Sequence, residues 1–312
     1  MVTDDLRKKV AEAMETLGYQ PNFVARSLAK NQSFNVAVTC NDISNPYYGE
    51  ILTGMKEVAV HHGYMTVLLS PDDFLREGKN FIIHLIQRKV DGVLHMMSHI
   101  NLSEQDFVQM RENGIALVND PTNQAGSVVA VDYAPGVSQL ASHFIEHGHR
   151  NIGVLSWKTP AHFPTDERIR VFQDTTKSYG VVVRPENVFS SQNDFDTSQR
   201  DGYVAMKELL ASGRKITAVF AMNDLMAYGA LRACHEAGLS VPQEISIAGC
   251  DDIFLSECTS PPLTTVSVPK RDVGRKSMEL LIQRIEKDPA ANRTVIFQTG
   301  LVKRASVGPA PQ

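Results

Sequence analysis

Apolar and polar residues follow two alternating patterns over most of the chain. Short apolar runs, such as residues 35–40 and 92–97, have the length of buried strands. The longer segments between them, such as residues 46–62, carry apolar residues at the spacing of an amphipathic helix. In the first part of the chain, the predicted strands are 35–40, 65–70, 92–97 and 116–119, and the predicted helices are 46–62, 73–89 and 103–113. Because strands alternate with helices, the pattern predicts a parallel sheet with helices on both faces.

The same alternation starts again after residue 135. The predicted helices are 136–147, 166–179, 198–211 and 224–237, and the predicted strands are 151–156, 187–191, 218–221 and 246–249. A helix at 273–286 and a strand pair at 295–299 and 301–304 are predicted at the end of the chain. Two successive α/β lobes are the simplest fold that explains this repetition. The 312 residues are enough for two such lobes, each with its own core.

The first 33 residues carry helical signals of a different kind. Apolar residues at positions 6, 10, 14 and 17 form one stripe of a helix, with Thr3 as its N-cap. Gly18 and Pro21 predict the end of this helix. A second, short helix is predicted at residues 22–28, followed by a polar linker at 30–33.

Composition and charge narrow the class of protein mainly by exclusion. No apolar run reaches the ~18 residues of a membrane-spanning helix, and the N-terminus lacks the apolar core of a signal peptide. We therefore expect a cytoplasmic protein with no membrane partner. The net charge of -4 means that any DNA binding must depend on a local segment. The four cysteines lack metal-ligand spacing, so we predict neither a metal site nor a cofactor.

Several short motifs follow one another along the chain. Near the N-terminus these are LGY at 17–19, PN at 21–22 and VARSL at 24–28. They continue with DISNPYY at 42–48, QRKVDGV at 87–93, EHGHRNIG at 146–153, AMNDLMA at 221–227, IAGCDD at 247–252 and PPLTTV at 261–266. Each motif alone is weak, but the ordered set spans nearly the whole chain and resembles the LacI/GalR family of transcriptional regulators. In that family the first motifs end the DNA-binding headpiece and form a hinge helix.

The resemblance implies an α/β fold of the type I periplasmic-binding-protein kind, preceded by a helical headpiece remnant. Two doubly wound parallel-sheet lobes are joined by three crossover strands, and an effector binds between them. The implied limits are 1–33 for the headpiece remnant and hinge, 34–132 with 268–289 for the N-lobe, and 133–267 with 290–312 for the C-lobe. The implied function is not enzymatic. It is a homodimeric, ligand-responsive repressor that couples a small polar effector, a sugar or sugar derivative, to its affinity for operator DNA.

Aromatic and polar residues follow the predicted strands, at the carboxyl ends where open α/β sheets bind ligands. Aromatic rings offer flat faces to a sugar or a base, while aspartate, asparagine and arginine can pair with its polar groups. Together with the resemblance, these positions give the predicted effector-binding residues Tyr47, Tyr48, Asp120, Arg168, Phe195, Asn223 and Asp251. The alternatives are a core position for one tyrosine, a helix-cap role for Asp224, and a structural role for Asp252.

Two departures from the family pattern leave the identity of the effector open. Val171 replaces a common glycine, and Val268 replaces a glutamine that sugar-binding members often carry. The second change removes an amide that could pair with a hydroxyl group. The loop at 157–164 is also unusual, and His162 either lines the pocket rim or lies in a simple exposed loop.

For the hinge segment, the resemblance implies contacts with DNA. The position of Leu28 wedges into the minor groove in the family, and Arg26 and Lys30 can reach phosphates. The predicted DNA-binding residues are Asn22, Val24, Ala25, Arg26, Leu28 and Lys30. The alternative is a linker that lacks fixed structure without DNA, since short helices are marginal alone. The first two headpiece helices of the family would lie upstream of Met1, so we expect sequence-specific binding by this chain alone to be weak or absent.

Two other classes of protein stay open from the sequence. His143, Glu146 and His147 form an H-x-x-E-H motif, which in zinc hydrolases supplies two metal ligands and a general base. No third ligand stands out, and the family motif at 146–153 explains the same stretch. The second class is a solute-binding transport protein of the same fold, which would carry an export signal in place of the hinge.

Overall fold

A computed structural model of the chain describes residues 3–18, 27, 29–30, 32–40, 42–70, 74, 77–78, 80–97, 103–118, 127–156, 166–190, 197–288 and 292–312. The chain divides into two compact units. The first unit comprises Met1–Asn41, Ala59–Ala125 and Leu280–Ala291, and the second comprises Asp42–Val58, Gly126–Glu279 and Asn292–Gln312. The units divide the chain at other positions than the lobe limits given above, which stay a prediction.

The described residues form helices and strands in alternation, as the hydrophobic pattern predicts. The helices are α1 (Asp4–Thr16), α2 (Pro46–His61), α3 (Phe81–Gln87), α4 (Glu104–Glu112), α5 (Ala134–Glu146), α6 (Glu167–Ser178), α7 (Gln199–Ala211), α8 (Asp224–Glu236) and α9 (Lys270–Ile285). The strands are β1 (Asn35–Cys40), β2 (Met65–Leu69), β3 (Gly92–Met97), β4 (Ala116–Val118), β5 (Val128–Asp132), β6 (Ile152–Ser156), β7 (Val188–Ser190), β8 (Ala218–Ala221), β9 (Ser246–Asp251), β10 (Thr264–Ser267), β11 (Thr294–Gln298) and β12 (Gly300–Val302). Short 3-10 helices lie at Pro185–Asn187 and Phe254–Glu257.

The first unit contains a four-stranded parallel sheet in the order β2-β1-β3-β4. Leu85 and Met110, from the flanking helices, pack with Val93 of the sheet in its core. The Asp91 carboxylate accepts the backbone N–H groups of Ser33, at 2.9 Å, and Phe34, at 2.7 Å. These two hydrogen bonds fix the point at which the N-terminal linker enters β1.

The second unit contains a six-stranded sheet in the order β12-β10-β9-β8-β6-β7 and a two-stranded parallel sheet of β11 and β5. In the larger sheet only β12 is antiparallel, to β10. Helices α7 and α8 pack closely where they cross. A Cβ at Gly202 would overlap the Met226 backbone, so only glycine fits at this point. Since β6, β8 and β9 are parallel neighbours, their carboxyl ends meet along one side of the sheet. The predicted α/β, periplasmic-binding-protein-like fold class is confirmed.

Several boundaries differ from the sequence-based ones, for local reasons. β5 is not among the predicted strands, although its residues VVAVD are rich in β-branched side chains. Helix α3 begins after Asn80, whose side chain accepts the N–H of Ile83 at 3.1 Å and caps the helix. Strand β9 continues to Asp251, and α9 already begins at Lys270. None of the described helices is both long and apolar enough to cross a membrane.

Candidate functional site

A cluster of polar and aromatic side chains lies at the carboxyl ends of the strands in the second unit. Asp251 ends β9, Arg168 lies in the first turn of α6, and Tyr133 follows β5. Tyr47, in the first turn of α2, is hydrogen-bonded to Tyr133 through the side chains. We call these four residues, with the residues that hold them, the strand-end site.

The guanidinium of Arg168 is fixed on several sides. Its Nε and Nη2 donate to the two carboxylate oxygens of Asp166, at 3.2 and 3.0 Å, and its Nη1 donates to the Met222 carbonyl at 3.0 Å. Its Cζ lies 5.2 Å from the centre of the Tyr133 ring. Burial opposes the charge of Arg168, but the Asp166 carboxylate outweighs burial and raises the pKa of the guanidinium. The cation is therefore permanent and its orientation is set.

Asp251 combines a carboxylate without an internal hydrogen bond with an uncommon backbone conformation. Its side chain is buried, with 7% exposure, and no hydrogen bond joins its carboxylate to any residue within the described ranges. Its φ of 123° lies in the region that side chains rarely adopt. Its carbonyl accepts a hydrogen bond from Lys270 Nζ at 2.7 Å, which fixes the backbone at this point. A carboxylate that makes no hydrogen bond within the described structure can pair with a ligand.

The electrostatic surroundings of Asp251 oppose the loss of its proton. Burial, followed by the nearby Asp224, raises the pKa of Asp251 well above its usual value, and Arg168 and Lys270 only partly oppose this. The carboxyl group can accept a hydrogen bond from a ligand in either protonation state, and it can also donate one when it is protonated.

Lys270 is the second cation of this region and is 4% exposed. Besides Asp251, its Nζ donates to the Asp252 carbonyl at 2.7 Å and lies 3.7 Å from Glu50 Oε2. The Asp252 carboxylate accepts from Arg304 Nη2 at 2.8 Å, which fits the structural role considered for it. Lys270 therefore fixes the backbone at Asp251 and Asp252.

Asn223, a predicted effector contact, is also the helix cap that the sequence analysis considered for Asp224. Asn223 is the N-cap of α8, and its Oδ1 accepts the Met226 N–H at 2.8 Å. A helix-cap role for Asp224 is therefore wrong. Its buried carboxylate instead accepts from Thr265 Oγ1 at 2.5 Å, Ser256 Oγ at 2.6 Å and the Ile253 N–H at 2.9 Å. Asp224 ties the start of α8 to the segments that flank β9 and β10.

Among the other predicted site residues, Tyr47, Tyr48 and Lys30 lie within the described ranges. Tyr47 and Tyr48 are half-buried, and their ring centres lie 5.2 Å apart at an interplanar angle of 77°. Burial, followed by Tyr133, raises the pKa of Tyr47 well above its usual value, so it remains a neutral donor. Lys30 is exposed, with Nζ 5.6 Å from the centre of the Phe34 ring. Outside the described residues lie Asp120, Phe195, His162, Asn22, Val24, Ala25, Arg26 and Leu28.

Three residues of the site were missed from the sequence. Tyr133 was missed because the strand before it was missed. Asp166 stands two residues before Arg168 and directly before a helix, a position that favours an aspartate cap. Lys270 carries no local signal, since its partners are backbone carbonyls that only the tertiary structure brings to it.

Of the two histidines of the H-x-x-E-H motif, His147 has a hydrogen-bond partner within the helix, and the buried Nδ1 of His143 has none among the described residues. His147 Nδ1 donates to the His143 carbonyl at 2.8 Å, and the two ring centres lie 4.3 Å apart. Across the described part of the chain, no group of three or more His, Cys, Asp or Glu side chains is placed to hold a metal ion. The geometry offers nothing in favour of a zinc hydrolase.

Comparison with known proteins gives consistent matches over almost the whole chain. A family profile described as periplasmic binding protein-like domain matches residues 141–307. The HTH-type transcriptional repressor PurR of Aliivibrio salmonicida is 31% identical over 310 residues, which cover 98% of this chain and 91% of that protein. A LacI family transcriptional regulator from Enterococcus faecium, solved with bound ribose, is 26% identical with a TM-score of 0.76 over 88% of this chain and 99% of that one. The transcriptional regulator CelR, solved with cellobiose, is 27% identical with a TM-score of 0.74 over 98% and 92%. All three are regulators of transcription, not enzymes.

Proposed function

This chain belongs to the LacI/GalR family of transcriptional regulators, and we propose that it is a ligand-responsive repressor whose core binds a small polar effector. The observation that carries the proposal is the buried carboxyl group of Asp251, which lacks a hydrogen-bond partner in the described structure. A polar ligand that reaches the carboxyl end of β9 can therefore pair with this group.

We propose a sugar or sugar derivative as the effector. A hydroxyl group can donate to Asp251 and accept from the N–H groups of Arg168 that Asp166 and Met222 leave over. The rings of Tyr47 and Tyr48 offer an apolar face of the kind that sugars pack against. The ribose and cellobiose in two similar regulators support the same class of ligand. Val268 leaves open which sugar fits this chain, and Asp120 and Phe195 remain predicted contacts.

The proposed regulation is a linkage between this site and operator DNA. The hinge residues Asn22, Val24, Ala25, Arg26, Leu28 and Lys30 are the proposed DNA contacts, in a homodimer that matches two operator half-sites. An effector changes DNA affinity only through its different affinities for the DNA-binding and non-binding conformations. Ligand binding and DNA binding must therefore influence each other reciprocally.

The decisive experiment identifies a ligand and then removes Arg168. A thermal-shift screen against sugars, sugar phosphates and nucleobases gives the ligand, because at a hundredfold excess over its Kd a ligand stabilises the folded state by ~2.7 kcal/mol. We expect Arg168→Ala to weaken binding of that ligand by roughly 10- to 100-fold, the value of lost charge-assisted hydrogen bonds. Calorimetric titration measures the effect.

Arg170→Ala is the matched control, since Arg170 lies on the same helix, is exposed, and only faces Asp174 at 3.7 Å. Undiminished affinity in folded Arg168→Ala would contradict the proposed site. Selection of bound genomic DNA fragments, with and without the ligand, tests the regulatory half of the proposal. Measurable DNA binding that is equal with and without the ligand would refute the linkage.

A further inference from the structure

We propose that Asp166 excludes anionic ligands from the strand-end site and so restricts the effector to uncharged molecules that carry hydroxyl groups. The inference rests on the proposed function, because it concerns the ligand class of the same site. It assigns to Asp166 a specificity role that neither the motifs nor the strand-end positions indicated.

The first step concerns the N-terminus of α6. The N-terminus of a helix attracts anions, because its backbone N–H groups are free and the helix dipole is positive there. In α6, a helix of 12 residues, Asp166 is the N-cap and its Oδ1 accepts the Arg168 N–H at 2.9 Å. A carboxylate of the protein therefore already holds the position that a phosphate or carboxylate ligand would take.

The second step concerns the cation of the site. Asp166 is bound by Arg168 through both of its carboxylate oxygens, and the two side chains are 7% and 17% exposed. This bidentate geometry is the one in which arginine otherwise binds a phosphate or carboxylate ligand. An anionic ligand would have to lie beside a buried carboxylate whose charge is only balanced, not exceeded, by Arg168.

The third step concerns the remaining charges around the site. Lys270 is directed to the carbonyls of Asp251 and Asp252 and lies 3.7 Å from the Glu50 carboxylate, so its charge is also balanced. Asp251 adds a carboxyl group that has no hydrogen-bonded partner among the residues described here. Arg168 and Lys270 are thus both paired with acidic groups, so neither leaves a net positive charge for an anionic ligand.

The hydrogen-bonding capacity that remains is that of a site for neutral groups. Arg168 keeps N–H groups beyond those bound to Asp166 and Met222, and these can donate to a hydroxyl oxygen. Asp251 can accept from the same hydroxyl or from its neighbour. A polyol can pair with both side chains without adding charge, whereas a phosphate would place its negative charge beside the Asp166 carboxylate.

The test substitutes Asp166→Ser, which keeps an N-capping hydroxyl and removes the charge. Inorganic phosphate is the probe, because it needs no particular sugar shape. We expect the wild-type protein to give no binding heat with phosphate at about 10 mM, and Asp166→Ser to bind it at least tenfold more tightly. The double variant Asp166→Ser/Arg168→Ala should lose this gain. Asp174→Ser is the control, since Asp174 is exposed on the same helix.

A gain of phosphate binding cannot come from a purely structural role of Asp166. Phosphate binding by the wild type that equals that of Asp166→Ser would overturn the inference, as would a folded Asp166→Ser without any gain. Should the serine variant fail to fold, Asp166→Asn keeps the shape of the side chain and is held to the same two outcomes.

The two proposals fail separately. If the wild type binds a neutral sugar and Asp166→Ser gains no phosphate, only the exclusion role of Asp166 is lost. If Asp166→Ser gains phosphate and no neutral compound binds the wild type, the charge argument stands and the proposed effector class is contradicted.

Discussion

Two buried polar side chains at opposite ends of the six-stranded sheet, His149 and Asp251, differ in their hydrogen bonding. At the amino ends, His149 Nε2 donates to the Gly308 carbonyl at 3.0 Å, and its Nδ1 accepts from Thr217 Oγ1 at 3.0 Å. At the carboxyl ends, Asp251 is 7% exposed and its carboxylate is not hydrogen-bonded to any described residue. His149 is thus paired within the protein, whereas Asp251 keeps hydrogen-bonding capacity for the proposed ligand.

The largest effect that separates the two ends is expected for His149→Ala. The substitution removes hydrogen bonds to the starts of two strands and the contact with the Phe144 ring, whose centre lies 5.7 Å away. We expect the free energy of unfolding to fall by about 3 kcal/mol, because several buried groups lose their partners at once. Denaturant titration measures the loss, with exposed His235→Ala as control. Effector affinity should stay within about twofold, and a larger change would break the division between the two ends.

A smaller effect is expected at His143, also near the amino ends, and it depends on acid. Burial, followed by His147, lowers the pKa of His143 to about 4. The unfolded chain takes up this proton near pH 6.5, so the stability that His143 confers is complete above that pH and is lost as the pH falls toward 4.

We therefore expect His143→Leu to lose less stability than the wild type between pH 6.5 and pH 4, in thermal melts at a series of pH values. His235→Leu, at an exposed position, should follow the wild type. If the melting temperatures of His143→Leu and the wild type fall in parallel as the pH is lowered, His143 is not held neutral by the fold.

The smallest effect is expected at Asp251, and it has the opposite sign. Its pKa is raised by burial and by Asp224, so its contribution to stability is present below the usual pKa of 3.8 and is lost as the pH rises through the higher pKa of the folded state. Asp251→Asn should reduce this loss, because the amide does not titrate. In this variant, stability should still fall somewhat as the pH rises, because burial also raises the pKa of Asp224.

The same variant should bind the effector less well, because an amide cannot replace both states of the carboxyl group. Melts between pH 4 and pH 8 and a ligand titration measure the two effects together. A variant with unchanged pH dependence and unchanged affinity would remove Asp251 from the strand-end site.

Local sequence patterns predicted most of the helices and strands, and the elements that they missed have identifiable physical causes. Apolar runs and helical spacing located most strands of both sheets, because buried strands need apolar residues whatever lies beyond them. β5 was missed because its five residues form a short run between a polar stretch of sequence and the start of α5. Tyr133 was missed for the same reason, because its hydrogen bond to Tyr47 and the position of its ring, 5.2 Å from Arg168 Cζ, depend on where that strand ends.

The sequence by itself determined the class of fold and the family, and it predicted the strand ends as the place where a ligand would bind. These follow from periodicity, caps and ordered motifs, which are properties of neighbouring residues. Only the tertiary structure decided that Asp166 occupies the guanidinium of Arg168, that Asp224 is fully bonded and that Asp251 is not. The physical reason is that hydrogen bonding, burial and pKa depend on groups that are distant in the chain and meet only when the strands are aligned.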